Sequence, residues 1–183
     1  MRPPAHTAPI RPVALIIMGV SGSGKSTLGQ ALAERLGCPF LEGDDFHSAE
    51  AVAKMHAGHP LTDTDRWPWL DRLGAATAAA VARDGLAITA CSALRRCYRE
   101  RLTVAIGQPT RFVLLDNPRE ELRRRIAGRP THYMPTSLLD SQLETLERPG
   151  ADEPAIALDA GAPVATLCDR VLRWLAEPVA NHA

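Results

Sequence analysis

Val13-Ala14-Leu15-Ile16-Ile17-Met18-Gly19-Val20-Ser21-Gly22-Ser23-Gly24-Lys25-Ser26 is an unbroken apolar run that gives way to a glycine-rich turn. The run has the length of a strand buried on both faces, as in a parallel sheet. The stretch that follows, 26–36, carries Leu28, Leu32 and Leu36 at helical spacing and meets a stop at Gly37. Between strand and helix, the pattern G-x-x-x-x-G-K-[ST] has a physical meaning. Its glycines let the backbone curl until successive N–H groups converge on phosphate oxygens. The helix behind adds the positive end of its dipole. Lys25 supplies a mobile charge for the β and γ phosphates, and Ser26 offers a hydroxyl to Mg²⁺. Gly19, Val20, Ser21, Gly22, Ser23, Gly24, Lys25, Ser26 and Thr27 are therefore the expected ATP-binding residues.

Outward from this P-loop, short apolar runs recur, each with a polar tail. Pro39-Phe40-Leu41 leads into Glu42, Leu86-Ala87-Ile88-Thr89-Ala90-Cys91 into Ser92, Arg111-Phe112-Val113-Leu114-Leu115 into Asp116, and Ala155-Ile156-Ala157-Leu158 into Asp159. Helical patterns separate them at about 48–57, 67–83, 95–105, 118–127, 136–147 and 164–176. Strands alternating with helices predict an α/β fold, a parallel sheet with helices on both faces. The polar tails then share the carboxyl edge, where open α/β sheets bind ligands. No internal repeat or second domain boundary is visible. The expected organisation is a leader over 1–12 read as disordered, one P-loop domain over 13–177, and a tail over 178–183.

The 183 residues suffice for one domain with a full core, and 45% are apolar. Basic and acidic residues balance at 21 each, which argues against a nucleic-acid partner. Only Lys25 and Lys54 are lysines, so arginine is the default cation. Four cysteines without a CxxC pair read as idle thiols of a reducing cytoplasm. No apolar run approaches the roughly 20 residues that cross a bilayer, and residues 1–12 lack the apolar core of a signal peptide.

A P-loop does not by itself identify the phosphate acceptor. Glu42 and Asp44, two apart on what reads as an extended segment, project to the same side. One of them could hold Mg²⁺ through water while the other reaches an acceptor hydroxyl, the alternative being an ordinary acidic loop. Asp63 and Asp65 read as helix starts, with Trp67-Pro68-Trp69 as a rigid corner; the tryptophans serve either as anchors or in binding. Arg66 reads as functional. Arg95 and Arg99 are four apart, hence on one helix face, either toward an anionic substrate or in solvent. Arg125 and Arg129, around glycine and proline breaks, suit a lid over ATP at about 125–135. His47, His56 and His59 lack the spacing of a metal site.

Taken in order, the P-loop, Gly43-Asp44-x-x-His47, Lys54-Met55-x-x-Gly58-x-Pro60-Leu61, Asp65-Arg66-x-x-Trp69-Leu70, Cys91-Ser92-Ala93-Leu94-Arg95 and Ser141-Gln142-x-Glu144-Thr145-Leu146-Glu147 resemble the gluconokinases of the shikimate-kinase-like type. The likeness runs from about residue 13 to 175. It implies a five-stranded parallel sheet of the shikimate and adenylate kinase kind with a small lid, in many members as a homodimer. It implies transfer of the γ-phosphoryl of ATP, with Mg²⁺, to the 6-hydroxyl of D-gluconate, giving 6-phosphogluconate for sugar-acid catabolism. The resemblance makes Lys25, Asp44 and Arg125 catalytic, with Arg129 beside them in the lid. It places Asp44, His47, Lys54, Arg66, Arg95 and Gln142 around the sugar acid, and Ser26 and Glu42 at the metal. Family members usually carry Asp at the position of Glu42. A shikimate kinase would carry a Gly-Gly pair where Ser92-Ala93 stands. A module that only senses ATP would have no use for the carboxylates or the lid arginines.

Overall fold

The computed structural model describes residues 13–128 and 136–177. The leader 1–12, the tail 178–183 and most of the expected lid lie outside the described residues. The chain runs β1 (Val13–Met18), α1 (Lys25–Leu36), β2 (Phe40–Glu42), a 3-10 turn (Gly43–Phe46), α2 (Ala49–His56) and α3 (Asp63–Asp84). It continues through β3 (Leu86–Ala90), α4 (Arg96–Ile106), β4 (Thr110–Asp116), α5 (Arg119–Ala127), α6 (Thr136–Thr145), β5 (Ala155–Asp159) and α7 (Val164–Ala176).

The five strands form one sheet in the order β2-β3-β1-β4-β5, with every pairing parallel. Alternate residues of β1 feed two cores. Ala14, Ile16 and Met18 face α3 and α4, meeting Leu73, Val81 and Leu102. Leu15 and Ile17 face α1 and α7, meeting Leu28, Leu32 and Val171. The helix after β1 and the helix after β3 therefore lie on opposite faces of neighbouring strands. That divergence opens a crevice at the carboxyl ends of β1 and β3, the place where such sheets bind ligands. A third cluster of Val20, Leu94, Leu122, Ile126 and Leu139 packs the P-loop against α5 and α6.

Three local readings of the sequence change. First, Glu42 and Asp44 are not on a shared extended segment. Gly43 begins a 3-10 turn packed so closely under the Ala90 carbonyl that a Cβ would collide with it, and the turn rotates Asp44 away from Glu42. Second, Trp67-Pro68-Trp69 makes no corner. Helix α3 starts earlier, where Thr62 and Asp65 form a reciprocal capping box, and runs unbroken past Pro68. Burial of Trp69, Leu70, Leu73, Thr77 and Val81 along one stripe keeps the helix continuous despite the missing N–H. Third, Arg95 is the partly exposed N-cap of α4 whereas Arg99 is buried within the helix, so the two do not present one basic surface.

Arg99 has a side chain 1% exposed. Its Nε and Nη2 donate to the Glu153 carboxylate at 2.5 and 2.9 Å. Its Nη1 donates to the carbonyls of Ala93, Leu94 and Glu147 at 3.2, 3.3 and 3.0 Å. Ala93 is the one non-glycine residue at positive φ among the described residues, at 44°. Such a backbone persists only when its surroundings hold it, and the guanidinium does so. Replacing Arg99 by Met leaves the largely buried Glu153 carboxylate without its paired cation and with the Gly150 N–H as its remaining donor among the described residues. The expected loss is about 3 kcal/mol or more of unfolding free energy, with partial recovery in Arg99→Met/Glu153→Gln. Urea denaturation measures both, and a loss for Arg99→Met below about 1 kcal/mol, the range of an exposed pair, would remove the pair from this role.

Candidate active site

The P-loop leaves β1 through Gly19 at φ 146° and enters α1 through Gly24 at φ 98°, backbone settings that side chains resist. The N–H groups of the first turn of α1 have no intrahelical acceptor, which makes this turn an anion cradle. On one flank of it opens a cavity of about 350 Å³, lined by Gly22, Ser23, Gly24 and Thr27 of the loop, Arg125, and the 160–163 segment after β5. Arg125 closes its edge. It donates to Glu121 at 2.9 Å and to the Ala160 carbonyl at 3.3 Å, and its Nη1 lies beside Gly24. The Ser23 hydroxyl is buried without a hydrogen-bond partner, and Val20 is part of the third core cluster. Arg129 lies outside the described residues.

On the other flank the loop meets the rest of the carboxyl edge. Gly19 N–H donates to the Ser92 carbonyl at 3.3 Å. Ser21 N–H donates to Gln142 Oε1 at 2.7 Å. Lys25 Nζ arches back to the Val20 carbonyl at 3.1 Å. Ser26 Oγ donates to Glu42 Oε2 at 2.5 Å. The expected metal pair is thus in direct contact, and an oxygen-only donor set of this kind suits Mg²⁺.

The acceptor wall begins one turn beyond Glu42. The Asp44 side chain is 76% exposed, with a carboxylate oxygen 3.9 Å from His47 Nε2. His47 itself is 5% exposed and stacks on Trp69, with ring centroids 4.2 Å apart. Trp69 is the anchor beneath it, donating from Nε1 to the Gly43 carbonyl at 2.7 Å. Burial lowers the His47 pKa, and the cations of Arg66 and Arg72 lower it further against the opposing pull of Asp44. His47 is therefore a neutral imidazole near pH 7. Arg66 holds the Leu61 carbonyl at 3.3 Å and lies over the Tyr98 ring. Arg95 donates to Asp63 at 3.1 Å and faces Glu147 at 3.6 Å.

Two of the expected substrate residues have protein partners that place them elsewhere. Lys54 Nζ binds Asp65 at 2.6 Å, tying α2 to the capping box of α3. Gln142 meets the P-loop backbone rather than the acceptor wall. The sequence reading took Asp63 only as a helix start and passed over Tyr98, whose hydroxyl donates to Asp63 at 2.5 Å beside Arg95. The i,i+3 spacing of Arg95 and Tyr98 was the available signal. Cys91 lies at the same edge but is no nucleophile, since burial pushes its thiol up to about 12. Among the described residues no group of three metal-ligating histidine, cysteine or carboxylate side chains gathers.

A family model described as an AAA domain matches residues 15–149. A gluconokinase of Gluconobacter oxydans is 48% identical over 147 residues, covering 80% of this chain and 82% of its own. The thermosensitive gluconokinase of Escherichia coli is 41% identical over 157 residues, covering 85% of this chain and 83% of its own. The crystal structure of a gluconokinase from Sinorhizobium meliloti superposes with a TM-score of 0.80 at 43% identity, covering 90% of this chain and 92% of that one.

The lowered His47 pKa has a consequence for stability. The unfolded chain takes up a proton near 6.5, the ordinary value, while the folded imidazole resists it. The unfolded state then binds more protons, and stability falls as pH drops below about 6.5, by at most about 1.4 kcal/mol per unit. His47→Gln should show a flatter melting-temperature profile between pH 7.5 and 5.5 than wild type. Parallel profiles would mean that His47 titrates normally in the fold.

Proposed function

We propose that this chain, which belongs to the gluconokinase family, transfers the γ-phosphoryl group of ATP to the 6-hydroxyl of D-gluconate. The observation that carries the reading is the meeting of two half-sites at the Ser26–Glu42 contact. A phosphate cradle lies on one side of it and an exposed carboxylate with arginines on the other. The family supplies ATP as donor; the sugar acid is inferred from the named relatives and from the charge of the wall.

In this reading the nucleotide's base and ribose occupy the cavity beside Gly24 and the 160–163 segment. Lys25 and Arg125 neutralise charge on the phosphates. Ser26 and Glu42 would hold Mg²⁺, whose chemistry there is charge neutralisation between the β and γ phosphates. The sugar's 6-oxygen forms a bond to the γ-phosphorus while the bond to the β–γ bridging oxygen breaks. That oxygen departs on ADP with the bonding pair. The hydroxyl proton passes to the Asp44 carboxylate, which is exposed enough to accept it. Arg66 and Arg95 attract the gluconate carboxylate, and neutral His47 offers its Nε2 to a sugar hydroxyl. ATP as donor and four free cysteines fit a cytoplasmic enzyme. No helix among the described residues is long and apolar enough to cross a membrane.

A coupled ADP-release assay across D-gluconate, shikimate, other aldonates and no acceptor tests the substrate. Gluconate should give the highest kcat/KM; equal ADP release with and without acceptor would sink the kinase reading. Asp44→Asn should lower kcat by about 10²-fold or more while leaving MgATP affinity within about threefold, and a near-wild-type kcat would remove Asp44 from the acceptor site.

A further inference from the structure

Gln142 stands on α6, far from the P-loop in sequence, yet its side chain ends on the Ser21 amide. A carboxamide has two chemically opposite ends. A backbone N–H can be answered only by oxygen, so this contact fixes which end faces the loop. Nε2 is then held within about 5 Å of Ser21 N, the reach of one amide group. No protein acceptor engages Nε2 among the described residues. It presents two donors in an arginine-rich site, where an acceptor would have to be an anion or water.

The position identifies the anion. The nucleotide cavity takes the 22–27 flank of the loop. The 19–21 flank faces Ser92 and α6 instead. Lys25 Nζ reaches the Val20 carbonyl, one residue from Ser21, so the loop's mobile cation sits beside the same peptide. The Gly19–Ser92 contact joins this flank to the segment that ends in Arg95 of the acceptor wall, so the flank adjoins the acceptor side of the loop.

Helix α6 holds the amide firmly. Leu139 is fully buried against Val20 and Leu94. Just past the helix, Glu147 N–H donates to the Leu94 carbonyl at 2.8 Å, and Glu147 Oε2 accepts from Arg96 N–H at 2.8 Å. A donor fixed in this way loses little on reorganisation when charge arrives.

We infer that Gln142 is a catalytic residue for phosphoryl transfer: Nε2 donates to a γ-phosphoryl oxygen while Oε1 holds the P-loop through Ser21. This rests on the reading of the chain as an ATP-dependent kinase, and it moves Gln142 from the sugar to the donor side.

Gln142→Glu separates the two ends. A carboxylate still accepts from Ser21 N–H, but it donates nothing and repels phosphate. We expect kcat to fall by about 10²-fold or more. Affinity for MgAMP-PNP, measured calorimetrically, should fall more than about tenfold, while MgADP affinity stays within about threefold. Equal weakening of both nucleotides would make Gln142 a structural tie and overturn the inference. A second measurement needs no variant to fold. In the wild-type protein labelled with ¹⁵N-glutamine, only Gln30, Gln108 and Gln142 give side-chain amide signals. One of them should shift with MgAMP-PNP and not with MgADP, Gln142 being assigned by through-bond correlation of its side-chain amide to its own backbone in ¹³C,¹⁵N-labelled protein. The same response to both nucleotides would again overturn the assignment. Neither binding arm contains gluconate, so failure of the substrate reading leaves this test intact.

Discussion

The amides at the start of α1 must stay open to an anion, and the loop before them has few hydrogen bonds of its own, Ser23 N–H to the Val20 carbonyl among them. Its shape has to come from its flanks. Each flank is secured by a different part of the chain: Gly19 by the Ser92 carbonyl after β3, Ser21 by Gln142 on α6, and Ser26 by Glu42 at the end of β2. Val20 is clamped by side chains of α5 and α6. The strand order that places β3 next to β1 is what makes the first of these ties available. Donor and acceptor machinery are therefore positioned by the same contacts that keep the cradle open.

Charge is organised by desolvation rather than by net excess. Arg99 is fully buried, and its three nitrogens make five hydrogen bonds, to one carboxylate and three carbonyls. A planar fork with fixed geometry can meet that demand, and an ammonium group could not. Arg95, at the start of the same helix, is 41% exposed and its ion pair with Asp63 is open to solvent. Exchange of such a pair for a substrate carboxylate costs little, because exposed ion pairs are worth only about 0–1 kcal/mol. Burial thus separates a structural arginine from one that can answer a ligand. Lys25 is the exception to the arginine habit, a compact charge placed where a moving phosphoryl group needs one.

Much of this was legible in the sequence. The apolar runs of β1, β3 and β4 are long because both faces of those strands are buried, and the P-loop pattern carries its own geometry. Helix boundaries fell within a few residues wherever a glycine or a cap marked them. Asp63 and Asp65 marked the start of α3, but its continuity was obscured by Pro68, whose usual reading as a breaker lost to the burial of Trp69 and Leu70. The roles of Arg99 and Gln142 were not legible locally. Arg99 depends on Glu153 and Gln142 on Ser21, and partners 54 and 121 residues away leave no periodic trace in the chain.

The two carboxylates after β2 bring these strands of reasoning to one place. Strand alternation would have set Glu42 and Asp44 on the same side, where like charges a few ångströms apart raise each other's pKa and compete for one ion. The close approach of Gly43 to Ala90 forces the chain into a 3-10 turn at that point. Glu42 is left pointing inward, where its carboxylate accepts from the Ser26 hydroxyl. Asp44 is turned outward beside His47, largely in solvent. A proton acceptor must be ionised and reachable, whereas a metal ligand must be fixed and dry. Under the roles proposed above, one glycine that admits no side chain would divide those requirements between the two carboxylates through backbone shape.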